Sequence, residues 1–144
     1  MAGRTENTIK HVLFLARHLN NCDLSCVVLA MLLELGIPTK RDGFDYLKKS
    51  IILRYHEPTC LITKDIYPAV GDMYSPPVSG AQIEQAIRSA IEEAWKDRRE
   101  EIWAYYFRID PDGGFSKPSN AEFISRVARY AELCQGCRKE VYHG

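Results

Sequence analysis

The clearest periodicity in the chain lies between Ser79 and Trp95. Ile83, Ala86, Ile87, Ala90, Ile91 and Ala94 recur at helical spacing and form a narrow apolar stripe. The stripe mixes isoleucines with alanines, so a second helix can approach it closely. Gln85, Arg88, Ser89, Glu92 and Lys96 occupy the opposite face. Ser79 and Gln82 have the spacing of a capping box, which predicts where this helix begins. Ahead of it, Ser75, Pro76, Pro77 and Val78 break the pattern. Before the break, Ile62, Ile66, Val70 and Met73 share a face and predict a helix over Thr63 to Tyr74. Pro68 falls near its start, where a missing N–H costs least. Two amphipathic helices around a short break read as a helix-turn-helix. The outward polar face of the second is where a base-reading surface would lie.

The rest of the chain is also helical in pattern. Thr8 to Asn20 predicts a first helix with Ile9, Val12, Leu13, Ala16 and Leu19 inward. Asn20, Asn21 and Cys22 break it, and Asp23 can cap the next helix. Leu24 to Leu35 is apolar on nearly every side and predicts a buried helix, stopped by Gly36 and Pro38. Phe44 to His56 follows, with Leu47, Ile51 and Tyr55 inward. Ile102 to Phe107 is aromatic and fits either a short helix or an extended piece. Asp110 to Gly114 is a turn cluster. Ser119 and Glu122 form a second capping box, opening a helix to about Leu133 with Phe123, Ile124, Val127, Ala128 and Ala131 inward. The expectation is an all-α fold, a compact bundle of about six to seven helices containing a helix-turn-helix. Residues 1–23 are expected to be an N-terminal helical extension, 24–133 the effector-like domain and 134–144 a tail.

Charge changes the picture. The 144 residues carry 19 basic and 19 acidic side chains, which counts against a strong non-specific nucleic-acid binder. A specific reader with a local basic patch remains compatible. No apolar run is long enough to span a membrane, and Met1 to Glu6 lacks the apolar core of a signal peptide. A cytoplasmic protein without membrane contact is expected, and its five cysteines are expected to be reduced.

Several short motifs fall in a familiar order. Gly36, Ile37 and Pro38 are followed by Gly43, Tyr46 and Leu47. Ile62 to Lys64 comes next with Tyr67 and Pro68, then Ile83 to Trp95, then Lys117 to Asn120 with Glu122, Phe123 and Ile124. Together these closely resemble the C-terminal DNA-binding effector domain of the stage-zero sporulation response regulator of endospore-forming bacteria, from Leu24 to Tyr130. The resemblance implies a domain that binds a promoter box in double-stranded DNA, as a homodimer or as tandem copies, and regulates sporulation-phase genes. The chain departs from the family in three ways. About 23 residues precede Leu24, too few for a phosphorylated receiver, so a stand-alone domain without phosphorylation control is expected. The turn is about one residue longer than the family's, which would shift the docking angle of the reading helix. Family members typically carry arginine where this chain has Gln82 and Gln85, and histidine where it has Ser89. Glu84 and Arg88 are retained.

Gln82, Glu84, Gln85, Arg88 and Ser89 are therefore the candidate base readers. Arginine grips guanine, and glutamine adenine, through paired hydrogen bonds worth roughly 1–3 kcal/mol of discrimination. The two glutamines move preference away from guanine and remove two cations from the phosphate field. From Cys60 to Arg99 the chain holds five basic and six acidic residues, which is weak for a DNA-facing unit. Thr63, Lys64, Lys96, Lys117, Arg126 and Arg129 are the candidate phosphate contacts. The rival account is a protein-interaction module of the same fold that has lost DNA reading and acts on a partner regulator.

Other chemistry is weaker. Cys134 and Cys137 have metal-ligand spacing, with His143 behind them and Cys22 and Cys26 one helical turn apart elsewhere. Cys26 falls in a buried-looking helix, where a thiol is usually a small apolar side chain. No metal and no cofactor are expected. His11, His18 and His56 lack a nucleophile or carboxylate at a diagnostic spacing, so no enzyme is expected. His11 and His18 share a helix face and are expected at a surface or interface.

Overall fold

A computed structural model describes residues 8–15, 23–107 and 110–143, with side chains through residue 136. Helix α1 covers residues 8–15. Then come α2 (Leu24–Glu34), α3 (Asp42–His56), a π-helical turn (Ile62–Ile66) running into α4 (Tyr67–Gly71), α5 (Gly80–Lys96), α6 (Glu100–Tyr106) and α7 (Asn120–His143). Among the described residues there is no strand. Helix α3 is central and packs on α2, α5 and α7.

The caps predicted at Asp23 and Ser79 form, and Ser119 supplies its half of the box before α7. The Asp23 carboxylate accepts from the Cys26 N–H at 2.9 Å. At the other end of α2, the Ile37 N–H reaches Leu32 O and the Gly36 N–H reaches Leu33 O, closing the helix with a Schellman motif. Ser79 and Gln82 form the reciprocal capping box of α5. The Glu122 N–H bonds Ser119 Oγ at 3.1 Å, starting α7.

The close approach implied by the alanines of α5 is met from α3 by Gly43. A Cβ on Gly43 would sit 2.4 Å from Ala86 O and 2.8 Å from the Ala90 Cβ. Only a residue without a side chain allows these helices to touch backbone to backbone. Ile83, Ile87, Ala90, Ile91 and Ala94 are buried. So are the five inward residues expected on α7.

Several expectations need correction. The helix expected over Thr63 to Tyr74 is two pieces and stops at Gly71. Pro68 explains the first piece. Its ring cannot donate to the Lys64 carbonyl and would clash with it in an α turn. The chain widens instead, with the Ile66 N–H on Leu61 O. Met73 lies past the helix end and is 51 % exposed, not inward. On α1 the inward residues are His11, Val12 and Leu15. Ile9 (55 %) and Leu13 (39 %) are exposed, so the buried stripe is rotated from the expected one. Ala16, His18, Leu19 and the break at Asn20 to Cys22 lie outside the described residues. The aromatic segment is helical, α6. Helix α7 continues past Leu133 to His143. Cys26 is exposed, while Cys134 is buried. Leu33 is also exposed, so α2 is not covered on all sides.

One corner is aromatic. Trp103 is buried and donates its indole N–H to Leu35 O at 3.1 Å. Trp95, at the end of α5, stacks on Phe115 with ring centres 5.5 Å apart and carries the Arg98 guanidinium 3.6 Å above its ring.

Candidate nucleic-acid interface

Helix α5 presents its polar side outward along its N-terminal half. Gln82, Gln85 and Arg88 are exposed, and Glu84 and Ser89 are half-buried. These five candidate readers share one helix, and three of them interact. Arg88 donates to Glu84 Oε1 at 2.8 Å and to Gln85 Oε1 at 3.4 Å. Gln82 has a second task. Its amide oxygen accepts from the Ser79 N–H at 3.1 Å. A glutamine reading adenine uses both its amide oxygen and its NH₂. Gln82 can do so only by surrendering its half of the cap.

Beside Arg88 lies a cavity of about 260 Å³. Thr63, Tyr67, Glu84, Arg88, Lys117 and Asn120 line it. The structure therefore brings Thr63 and Lys117, two of the phosphate candidates, next to Arg88. Lys64 is exposed on the same π-helical turn as Thr63. The other three candidates stand apart. Lys96 is at the far end of α5, about 21 Å along the axis from Gln82 at 1.5 Å per residue. Arg126 donates from Nε to Tyr106 O at 3.0 Å, tying α7 to α6. Arg129 pairs with Glu132 at 2.9 Å and lines a separate cleft with Arg54 and Tyr55.

The loop before α7 is fastened to α5. Asn120 Nδ2 donates to Glu84 O at 3.0 Å, and Lys117 reaches Glu92 at 3.1 Å. The Tyr67 hydroxyl is pushed above its ordinary pKa by burial, against a hydrogen bond from Asn120. Asn120 is a positioning residue that motif spacing alone did not assign. Its amide holds the capped start of α7 against the second turn of α5.

A second polar cluster escaped sequence reasoning altogether. His11 is not at a surface. Its ring stacks on Tyr105, 4.2 Å between centres. Nε2 lies 2.7 Å from Glu34 Oε1 and Nδ1 lies 2.6 Å from the Tyr130 hydroxyl. A carboxylate only accepts, so Nε2 carries a proton, and in the neutral ring Nδ1 accepts from Tyr130. Tyr106 donates to the other oxygen of Glu34 at 2.5 Å. Burial raises the pKa of Glu34, but the His11 and Tyr106 hydrogen bonds outweigh it and hold the carboxyl below its ordinary value. Burial and the charge of Glu34 push Tyr106 and Tyr130 up, so both remain phenols. The cluster fastens α1 to α2, α6 and α7. Among the described residues, no group of histidine, cysteine and carboxylate side chains is arranged to hold a metal.

A short helix, a closed turn and a second helix with one buried and one polar face define a helix-turn-helix unit of the DNA-binding class. A family model described as the sporulation initiation factor Spo0A C-terminal domain matches residues 28–131. The match covers most of the 144 residues, and the chain belongs to this family of DNA-binding transcription-regulator domains. Helix α1, the first turn of α2 and the last turns of α7 fall outside the matched segment. Among the described residues, no helix is long and apolar enough to cross a membrane.

Proposed function

We propose that the chain binds double-stranded DNA as paired copies, with the N-terminal half of α5 in the major groove. The exposed polar face of α5, set opposite a stripe in which Ile83, Ile87, Ala90, Ile91 and Ala94 are buried, carries this reading. Arg88 and Gln85 are the principal base contacts, and Gln82, Glu84 and Ser89 flank them. Thr63, Lys64 and Lys117 meet phosphates beside the groove, and Lys96, Arg126 and Arg129 serve flanking backbone contacts. With glutamines where relatives carry arginine, the preferred site differs from the family's usual box.

Selection from a random duplex library tests this. Binding should emerge with a defined sequence and weaken steeply as salt rises, because neutralised phosphates release counterions. Arg88→Ala should lower affinity for the selected duplex while leaving the fold intact. No binding even at low salt would remove the proposal.

One observation favours the rival reading as a protein-interaction module. Three cations around α5 are already matched by carboxylates: Arg88 by Glu84, Lys117 by Glu92 and Arg41 by Glu93. These pairs are exposed and therefore weak. If they are exchanged for phosphates, Glu84→Gln should raise DNA affinity; if the face serves a protein instead, that substitution leaves DNA binding absent.

A further inference from the structure

The turn of the helix-turn-helix is tied down at two places. At its ends, the Val78 N–H bonds Gly71 O at 3.0 Å. The strands of chain are so close that a Cβ on Gly71 would lie 1.9 Å from Val78 O. Between those ends, Tyr74 reaches back to α3. Its ring meets the buried ring of Tyr46 edge-on, 5.2 Å between centres. Its hydroxyl donates to Asp45 Oδ2. Lys49 Nζ donates to Asp45 Oδ2 at 2.7 Å and to the Tyr74 oxygen at 2.9 Å, and sits 4.2 Å from the centre of the Tyr74 ring.

The three groups complement each other in charge state. Partial burial opposes the ionised Asp45, but hydrogen bonds from Lys49 and Tyr74 hold its carboxyl below its ordinary pKa. The bonds to Asp45 and Tyr74 raise Lys49. Burial and the Asp45 carboxylate raise Tyr74. Around neutral pH the set is one anion, one cation and one phenol, each satisfying another.

We propose that Asp45, Lys49 and Tyr74 are positioning residues that fix the tilt of the reading helix. The inference rests on DNA reading by α5. Two of the contacts with α3 bear on how α5 sits: the close approach at Gly43 near its middle, and this clamp on the turn that feeds its N-terminus. The Gly43 contact sets how close the helices lie. The clamp sets where the first turns of α5, which carry Gln82 and Gln85, point. The extra length of the turn is held in a loop pinned at both ends and at its centre, so it need not displace α5.

The test uses the full chain and two variants. Tyr74→Phe keeps the ring against Tyr46 and removes the hydroxyl. Lys49→Met keeps the stem and removes the charge. Both should fold with thermal midpoints near that of the unaltered chain. Both should exchange the hydrogen-bonded backbone amides of Met73, Tyr74 and Val78 faster. Affinity for the duplex selected by the unaltered chain should fall about tenfold, the loss of roughly one base contact. Affinity for an unrelated duplex of equal length, and its salt slope, should not change. Equal loss on both duplexes, or unchanged exchange and unchanged discrimination, would overturn the clamp. If the unaltered chain selects no duplex, the DNA reading fails and with it the role in recognition. The exchange rates still report whether the clamp holds the turn.

Discussion

Two glutamate pairs invite comparison. His11 and Glu34 approach to 2.7 Å; Arg88 and Glu84 approach to 2.8 Å. By distance they are the same interaction. The first pair exposes 9 % and 24 % of its side chains, the second 49 % and 38 %. The buried pair has further partners in Tyr106, Tyr130 and Tyr105, all from the fold itself. The side chains of the exposed pair meet within one helix, and Gln85 adds a long hydrogen bond from the same helix. Burial and the number of partners decide what each pair is for. The His11 pair holds elements together because water cannot replace it cheaply. The Arg88 pair can be traded for a ligand because water or phosphate replaces it at small cost.

The most severe break is Gly43→Ala. It forces a Cβ into the Ala86 carbonyl and moves α5, carrying the exposed pair with it and leaving the buried pair in place. A loss of about 3 kcal/mol is expected in denaturant unfolding, at the upper end for overpacking. Glu34→Ala comes next. It strips the acceptor from both His11 and Tyr106, at about 2–3 kcal/mol after water reaches part of the site. Amide exchange should then rise first in residues 8–15, since α1 loses its polar anchor. A loss below about 0.5 kcal/mol would put the two pairs in the same class.

Acid sharpens the comparison further. The folded Glu34 carboxyl has a lowered pKa, so its contribution is present above the unfolded value near 4.5 and disappears as pH falls through the folded value. The stability gap between the unaltered chain and Glu34→Gln should therefore be constant above pH 4.5 and shrink below it. Thermal melts across pH 6 to 3 measure this, and a constant gap would contradict the assigned role. The smallest effect is Arg88→Ala, within about 0.5 kcal/mol in stability, as for exposed pairs four residues apart.

What was legible in the sequence follows the same division. Helix α5 was legible because its apolar period is strong and its cap is a local pattern of four residues. The buried face of α7 was legible for the same reason. Helix α1 is rotated from its predicted face because its inward side includes a histidine. A pattern of apolar residues cannot see a polar group buried by partners 23 and 119 residues away. The period that places Val70 inward predicts Met73 inward as well. The chain turns back at Gly71 to meet Val78, and a periodic signal carries no information on that tertiary contact. Of the candidate site, the outward face of α5 is legible from its helical period, while the placing of Thr63 and Lys117 beside Arg88 is tertiary. Asn120 lies in the Lys117 to Asn120 motif, whose order alone gives it no role. The clamp was half visible: Asp45 and Lys49 have helix-pair spacing, but Tyr74 joins them across 25 residues.

The aromatic corner gives the chain its own optical reporter. Its two tryptophans both sit where α5 ends and α6 begins. Trp103, sealed in and hydrogen-bonded, will emit at short wavelength until the core opens. Trp95, half-buried between Phe115 and Arg98, will respond to any swing of α5 about its middle. Neither lies at the N-terminal end where bases would dock. A ligand that seats on a rigid α5 should leave the emission unchanged, and one that levers the helix should shift it, so a fluorescence titration without any attached dye separates the two.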